Sequence, residues 1–264
     1  MELRGTVAIV TGENGGLGQR ICHALAQAGS QIVVVYTQSQ GQAQDVADHL
    51  YQTGVQAEAM ACDVTHPQQV QQLVARVAQM FGRVDILVND AAYNKWIAFQ
   101  DLDAMTYEEW QKILDVNLTG PMLYSKAVAP TMRQQGHGRI VNIASVAGLM
   151  PSGSSIPYAV SKAGLIHLTR CMASGPWWNQ IACCGPRHSK RGSMPIMAVR
   201  VKHIWSCPKR LPDYALGSHV DTHYLCISGD VLPACAPSAA ARHIPGAFRQ
   251  PVYSCYGFVK QWAR

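Results

Sequence analysis

Residues 171–264 of this chain contain no glutamate and only three aspartates, against 11 lysines and arginines, a net charge of +8. Residues 1–170 have no such deficit: 11 basic and 13 acidic side chains give −2. The overall charge of +6 is therefore a property of the last third alone. That third carries no nucleic-acid-binding motif and no helical stripe of charge, so no nucleic-acid partner is expected. Cysteine is scarce where acid is plentiful. Only Cys22 and Cys62 precede residue 171, and seven of the nine cysteines, four of the six tryptophans and nine of the 14 prolines fall within 171–264. An odd cysteine count without a secretion signal argues against a disulfide framework. The opening "MELRGTVAIVTG" lacks the basic region, apolar core and cleavage site of a signal peptide. No apolar run reaches the roughly 18 residues of a membrane helix. A soluble, cytoplasmic protein with no membrane partner is expected.

What is present is regular up to about Arg170. "TVAIV", a glycine turn "TGENGGLG" and "QRICHALAQAG" read as strand, turn and amphipathic helix. "QIVVVY" is a second strand. A helix from about Gln40 to Gly54 leads to a third strand in "QAEAMACDV", and another helix runs from about Pro67 to Phe81. "VDILVNDAA" is a fourth strand, too continuously apolar to have a wet face, as parallel strands covered on both sides are. A long helix from about Thr106 through the 120s precedes the strand "GRIVNIAS", and a helix beginning near Tyr158 carries "YAVSKAGLIHLTR". Strict alternation predicts a single α/β domain with a Rossmann-type, doubly wound parallel sheet.

The turn after the first strand of such a sheet is where a dinucleotide pyrophosphate binds, because free amides and the helix dipole favour negative charge there. Gly12, Gly16 and Gly18 occupy it as TGxxxGxG, not GxGxxG. A tight turn without ligand explains the glycines equally, and their position directly after the first strand favours the ligand. Tyr158 and Lys162 are i and i+4, on one face of their helix. A neighbouring ammonium favours the phenolate and lowers a tyrosine pKa, which makes Tyr158 a candidate acid or base. Ser145 falls at the end of the fifth strand, on the ligand-binding edge.

Taken together, "TGENGGLG", "CDV", "NDAA", "DVNLTG", "NIAS" and "YAVSK" resemble, in order and separation, the short-chain dehydrogenase/reductases over residues 3–170. The resemblance implies transfer of a hydride between NAD(P) and a small alcohol or ketone, with Tyr158 as acid/base, Lys162 tuning it and bonding the nicotinamide ribose, Ser145 holding the substrate oxygen, and Asn117 ordering a helix bend. It implies cofactor contacts from Gly12, Asn14, Gly16, Leu17 and Gly18, from Tyr36, from Asp63 and Val64, and from Asn89 and Ala91, with Tyr158 and Lys162. Asp90 and Ala92 depart from the family's Asn and Gly. No acid at the end of the second strand repels a 2′-phosphate and no base attracts one, so NADP and NAD both remain, leaning to NADP. Family members are homodimers or homotetramers. Each residue also has an ordinary role: Ser145 in a turn, Asn117 as a cap, Tyr158 and Lys162 as a surface pair.

Beyond Ala173 the resemblance stops. The family continues with a segment like "LAPxGIRVNxVAPG", absent here. Reading codons for residues 174–188 one nucleotide late permits LAPGGIRxxVVAPGT, with Gly-Gly forced by Trp177 and Trp178 and Val or Ala forced at Cys183 and Cys184. The chain thus divides into 1–173, the nucleotide-binding and catalytic part, and 174–264, an atypical segment whose strands are expected to be irregular or missing, read as out-of-frame translation. Such an accident would also scatter zinc-like spacings (His219, His223 and Cys226, with Cys183, Cys184 and His188), so no metal is expected. A variable substrate-binding segment is the other reading, and a catalytically impaired nucleotide-binding chain is the alternative function.

Overall fold

The computed structural model describes residues 3–12 and 16–174, together with three strands, 198–202, 223–226 and 253–254, by their backbone. The strands β1 (Val7–Thr11), β2 (Gln31–Tyr36), β3 (Ala57–Ala61), β4 (Ile86–Asn89) and β5 (Arg139–Ser145) are parallel neighbours in the order β3-β2-β1-β4-β5. The helices α1 (Gly16–Gln27), α2 (Gln40–Gln52) and α3 (Pro67–Phe81) connect them. Between β4 and β5 lie α4 (Tyr107–Leu114), a π-helical turn (Asp115–Thr119) and α5 (Gly120–Gln135). A short 3-10 turn (Val146–Gly148) precedes α6 (Ile156–Ser174).

Alternate strand residues feed two cores, one on each face. Val7, Ile9, Val33, Val35 and Leu87 pack against Val70, Val74 and Val77 of α3 and Tyr124, Val128 and Met132 of α5. Ala8, Val10, Ile32, Val34 and Val88 pack against Cys22 and Ala26 of α1 and Val46 and Leu50 of α2. Both faces are buried, which is why these strands read as unbroken apolar runs. Stop signals act where the sequence puts them: Gly82 and Gly136 end α3 and α5 in left-handed conformation, and Pro67 opens α3.

β6 (Ala198–Lys202) adds to β5 in parallel, pairing Ala198 with Val141 and Lys202 with Ser145. β7 (His223–Cys226) and β8 (Tyr253–Ser254) continue the sheet antiparallel. Apart from these strands, the segment 175–264, including His219, Cys183, Cys184 and His188, lies outside the described residues. Among the described residues no helix is long and apolar enough to cross a membrane.

Candidate active site

The chain reverses direction across the sheet between β1 and β4, so the crevice at their carboxyl ends opens where α/β sheets hold ligands. Thr11 builds its floor. Its hydroxyl accepts from the amides of Asp90 (3.2 Å) and Ala91 (3.1 Å), stitching the ends of the two strands together. Gly12 follows at φ +83°, and a Cβ there would stand 2.5 Å from the Ala91 nitrogen. Only glycine satisfies both the angle and the approach. Gly16, at the start of α1, has the opposite surroundings: a Cβ on it would meet nothing within 4 Å. Open space beside the start of a helix, where the first amides have no partner within the helix itself, fits a phosphate-bearing ligand. Gly18 is buried within α1 and Leu17 packs on the α1/α2 core. Asn14 lies outside the described residues.

Further along the same edge, Tyr36 ends β2 half-buried, and Val64 is buried beside Gly120. The Asp63 carboxylate is occupied locally, accepting from the Thr65 amide (2.9 Å) and hydroxyl (2.7 Å). Asp63 thus shapes its loop. Asn89 faces inward: its amide donates to Asn142 Oδ1 (2.8 Å), and Asn142 donates to the Thr169 hydroxyl (2.9 Å). This buried ladder ties β4 and β5 to α6. Ala91 is partly buried against the core.

Lys162 is only 3% exposed. Its ammonium donates to the Ile143 carbonyl at 2.8 Å and lies 5.8 Å from the centre of the Tyr158 ring. Ser145 is buried, accepts from the Ala147 amide at 3.2 Å and is hydrogen-bonded to Tyr158. Burial pushes the Tyr158 phenol above its ordinary value, the Ser145 bond pulls it down and the Asp90 charge pushes it up again. The sequence-based expectation that the lysine would lower this pKa is thus corrected for the chain itself: desolvation wins.

Asn117 is fully buried in the π-helical turn, whose extra residue per turn points its amide inward. Its oxygen accepts from the Tyr93 amide (2.7 Å), and its nitrogen donates to the Tyr93 carbonyl (2.9 Å) and the Ser161 hydroxyl (3.1 Å). Ser161 in turn donates to the Tyr158 carbonyl at 2.8 Å. Two glycines complete the site. A Cβ on Gly148 would lie 2.6 Å from the backbone of Lys162, and Gly153, at φ +108°, sits beside the Tyr158 ring.

Ser145, Tyr158, Lys162 and Asn117 therefore converge at one edge, adjoining Gly12, Asn89 and Ala91, while Tyr36, Asp63 and Val64 line its far end. Thr11, Asn142, Ser161 and Thr169 escaped the sequence reading. Asn142 gave a signal, being polar in the middle of an apolar strand; the others gave none.

A family model described as short chain dehydrogenase matches residues 6–182. A 3-oxoacyl-[acyl-carrier-protein] reductase from Synechocystis sp. is 39% identical over 171 residues, 65% of this chain and 68% of the relative. Dehydrogenase/reductase SDR family member 4 from Homo sapiens is 37% identical over 65% of this chain and 60% of its own length. Among solved structures, an NAD+-bound xylitol dehydrogenase superposes with a TM-score of 0.62 at 31% identity, covering 66% of this chain and 65% of that one. A metagenomic short-chain oxidoreductase in complex with NADP gives 0.61 at 33% identity, over 66% of this chain and 77% of that one.

Proposed function

The chain belongs to the short-chain dehydrogenase family, and from that premise we propose that it interconverts a secondary alcohol and a ketone with NAD(P), working on a small molecule in the cytoplasm. A bound nicotinamide would supply or accept the hydride. The chain's own residues do the rest. Ser145, buried and anchored by the Ala147 amide, holds the substrate oxygen beside Tyr158. The Tyr158 phenol, kept protonated by burial, donates its proton to that oxygen during carbonyl reduction and takes one back in the reverse direction. Lys162 is held by the Ile143 carbonyl, where its charge stabilises the phenolate left after donation. Gly12, Gly16, Leu17 and Gly18, with Asn14, Tyr36, Asp63, Val64, Asn89 and Ala91, hold the dinucleotide. NADP is favoured over NAD, since no acid follows Tyr36 before Gln40 to repel a 2′-phosphate.

The observation that carries this reading is the placing of buried Ser145 at the carboxyl end of β5 together with buried Lys162, whose ammonium bonds the Ile143 carbonyl of that strand and lies 5.8 Å from the centre of the Tyr158 ring. Relatives that carry the name 3-oxoacyl-[acyl-carrier-protein] reductase favour carbonyl reduction as the working direction. The test is NADPH oxidation by the purified chain against a panel of 3-oxo esters and thioesters, with Tyr158→Phe alongside. Turnover lost in the variant supports the reading; turnover equal in both refutes it.

One observation favours a second reading, a chain that binds nucleotide but is catalytically impaired. The family match ends at residue 182, and the match to the Synechocystis relative covers 68% of that relative and 65% of this chain. We propose that the reading frame slips near Ala173 and that residues 174–264 are out-of-frame translation. The coding DNA decides this: a sequence that does not read as LAPGGIRxxVVAPGT one nucleotide late refutes the slip.

A further inference from the structure

Two side chains of α4, outside the proton-transfer group, close on Tyr93 and Lys95 of the loop that leaves β4. The Tyr93 hydroxyl donates to Glu109 Oε2 at 3.2 Å, and the Lys95 ammonium donates to Glu109 Oε1 at 3.0 Å. The Lys112 ammonium lies 4.1 Å above the centre of the Tyr93 ring, within cation–π range. Glu109 and Lys112 sit on α4, whose first turn is capped by Thr106, so both are presented from a rigid element. The backbone of the same tyrosine is held from below by both polar atoms of Asn117. Tyr93 is thus gripped at the main chain by the residue that also bonds Ser161 and, through it, the helix carrying Tyr158 and Lys162.

The other end of the loop meets the segment that leads into Tyr158. The Ile97 amide donates to the Ser154 carbonyl at 2.9 Å, and the Ser154 hydroxyl bonds Asn94. The loop 93–97 and the segment 149–155 therefore form one continuous wall beside the Tyr158 ring, against which Gly153 packs. A shift of Tyr93 would move this wall and leave the dinucleotide turn at Gly12 and Gly16 untouched.

We propose that Glu109 and Lys112 are positioning residues for the substrate side of the site: by clasping Tyr93 and Lys95 they hold the wall beside Tyr158 where a carbonyl substrate must pass. The role rests on the oxidoreductase reading above. Each clasp contact is individually weak in water, so losing one loosens the loop without unfolding α4.

The test uses Glu109→Gln and Lys112→Met in the full chain, with Glu108→Gln as the control that removes a first-turn charge from α4 outside the clasp. Hydrogen exchange is followed at the amides of Tyr93 and Ile97, and KM and kcat are measured with NADPH and acetoacetyl-coenzyme A. The clasp variants are expected to exchange at these amides about tenfold faster and to raise KM about three- to tenfold, with kcat and the NADPH dissociation constant within about twofold of the parent. Unchanged exchange overturns the proposal. So does faster exchange with unchanged KM, which would make the clasp a purely structural feature. A parent chain inactive on every ketone sinks the oxidoreductase reading, and with it any substrate role for the clasp, even where exchange responds; the exchange arm therefore separates the two failures.

Discussion

Replacing Tyr158 by Phe removes the hydroxyl that meets Ser145 while keeping the ring beside Gly153. Turnover should fall about 100- to 10,000-fold, the usual contribution of a positioned acid or base, with nucleotide affinity within a few-fold, as titration and initial rates would show. Burial first, and the Asp90 charge after the opposing Ser145 bond, shape the pH dependence. A phenol raised above its ordinary value is protonated at neutral pH, so carbonyl reduction should be flat through neutrality. Alcohol oxidation, which needs the phenolate, should climb with pH. Asp90→Asn removes a charge that raises the phenol, so its oxidation profile should move to lower pH; a profile unchanged or moved upward would contradict the assignment. The i, i+4 spacing made Tyr158 and Lys162 legible in the sequence. That the Lys162 ammonium is bonded to the Ile143 carbonyl was not legible, because spacing along a helix says nothing of which strand lies beneath it. Thr11 was equally hidden, its partners Asp90 and Ala91 being far away in sequence.

The elements were read most accurately where both faces of a strand are buried or a helix has a clear stop. The 3.6-residue period gave a single long helix after Thr106, whereas the chain forms α4, a π-helical turn and α5. A turn that changes its hydrogen-bonding step to bury one asparagine leaves the apolar period nearly intact, so periodicity passes over it. Asn117→Ala would remove both bonds to the Tyr93 main chain and the one that Ser161 accepts, while Ser161 keeps its bond to the Tyr158 carbonyl. The cost is about 2–3 kcal/mol in chemical denaturation together with faster exchange at Tyr93. The opposite end of the sheet carries another buried polar group, with a structural effect only. Asp85 is desolvated, yet the Arg83 pair, the Val7 amide and His137 together hold its carboxyl below the ordinary range. Its folded pKa is depressed, so its stabilisation is complete above the ordinary carboxylate range and is lost as pH falls through the lower, folded value. Asp85→Asn should cost about 2 kcal/mol near neutrality, moderated because Arg83 and His137 face water, and the difference from the parent should shrink in acid.

At the scale of the whole molecule, the charge and cysteine partition at residue 171 anticipated where similarity to other proteins ends. The parallel order through β5 followed from alternation of strands and helices; the antiparallel β7 and β8 did not, since no periodic pattern marks them. If residues 174–264 are out of frame, a gene with the shift corrected should encode a chain that melts at a higher temperature and turns over ketones faster, by differential scanning fluorimetry and initial rates. An equal or lower melt with no gain in rate would speak for the chain as written. The most direct test of the account is a fluorescence titration of the purified chain with NADPH, alongside Gly16→Asp. Gly16 has open space around it, so the aspartate adds charge without disturbing the fold. The account predicts saturable binding in the parent and its loss in the variant. No saturation in the parent, or equal binding in both, would contradict it.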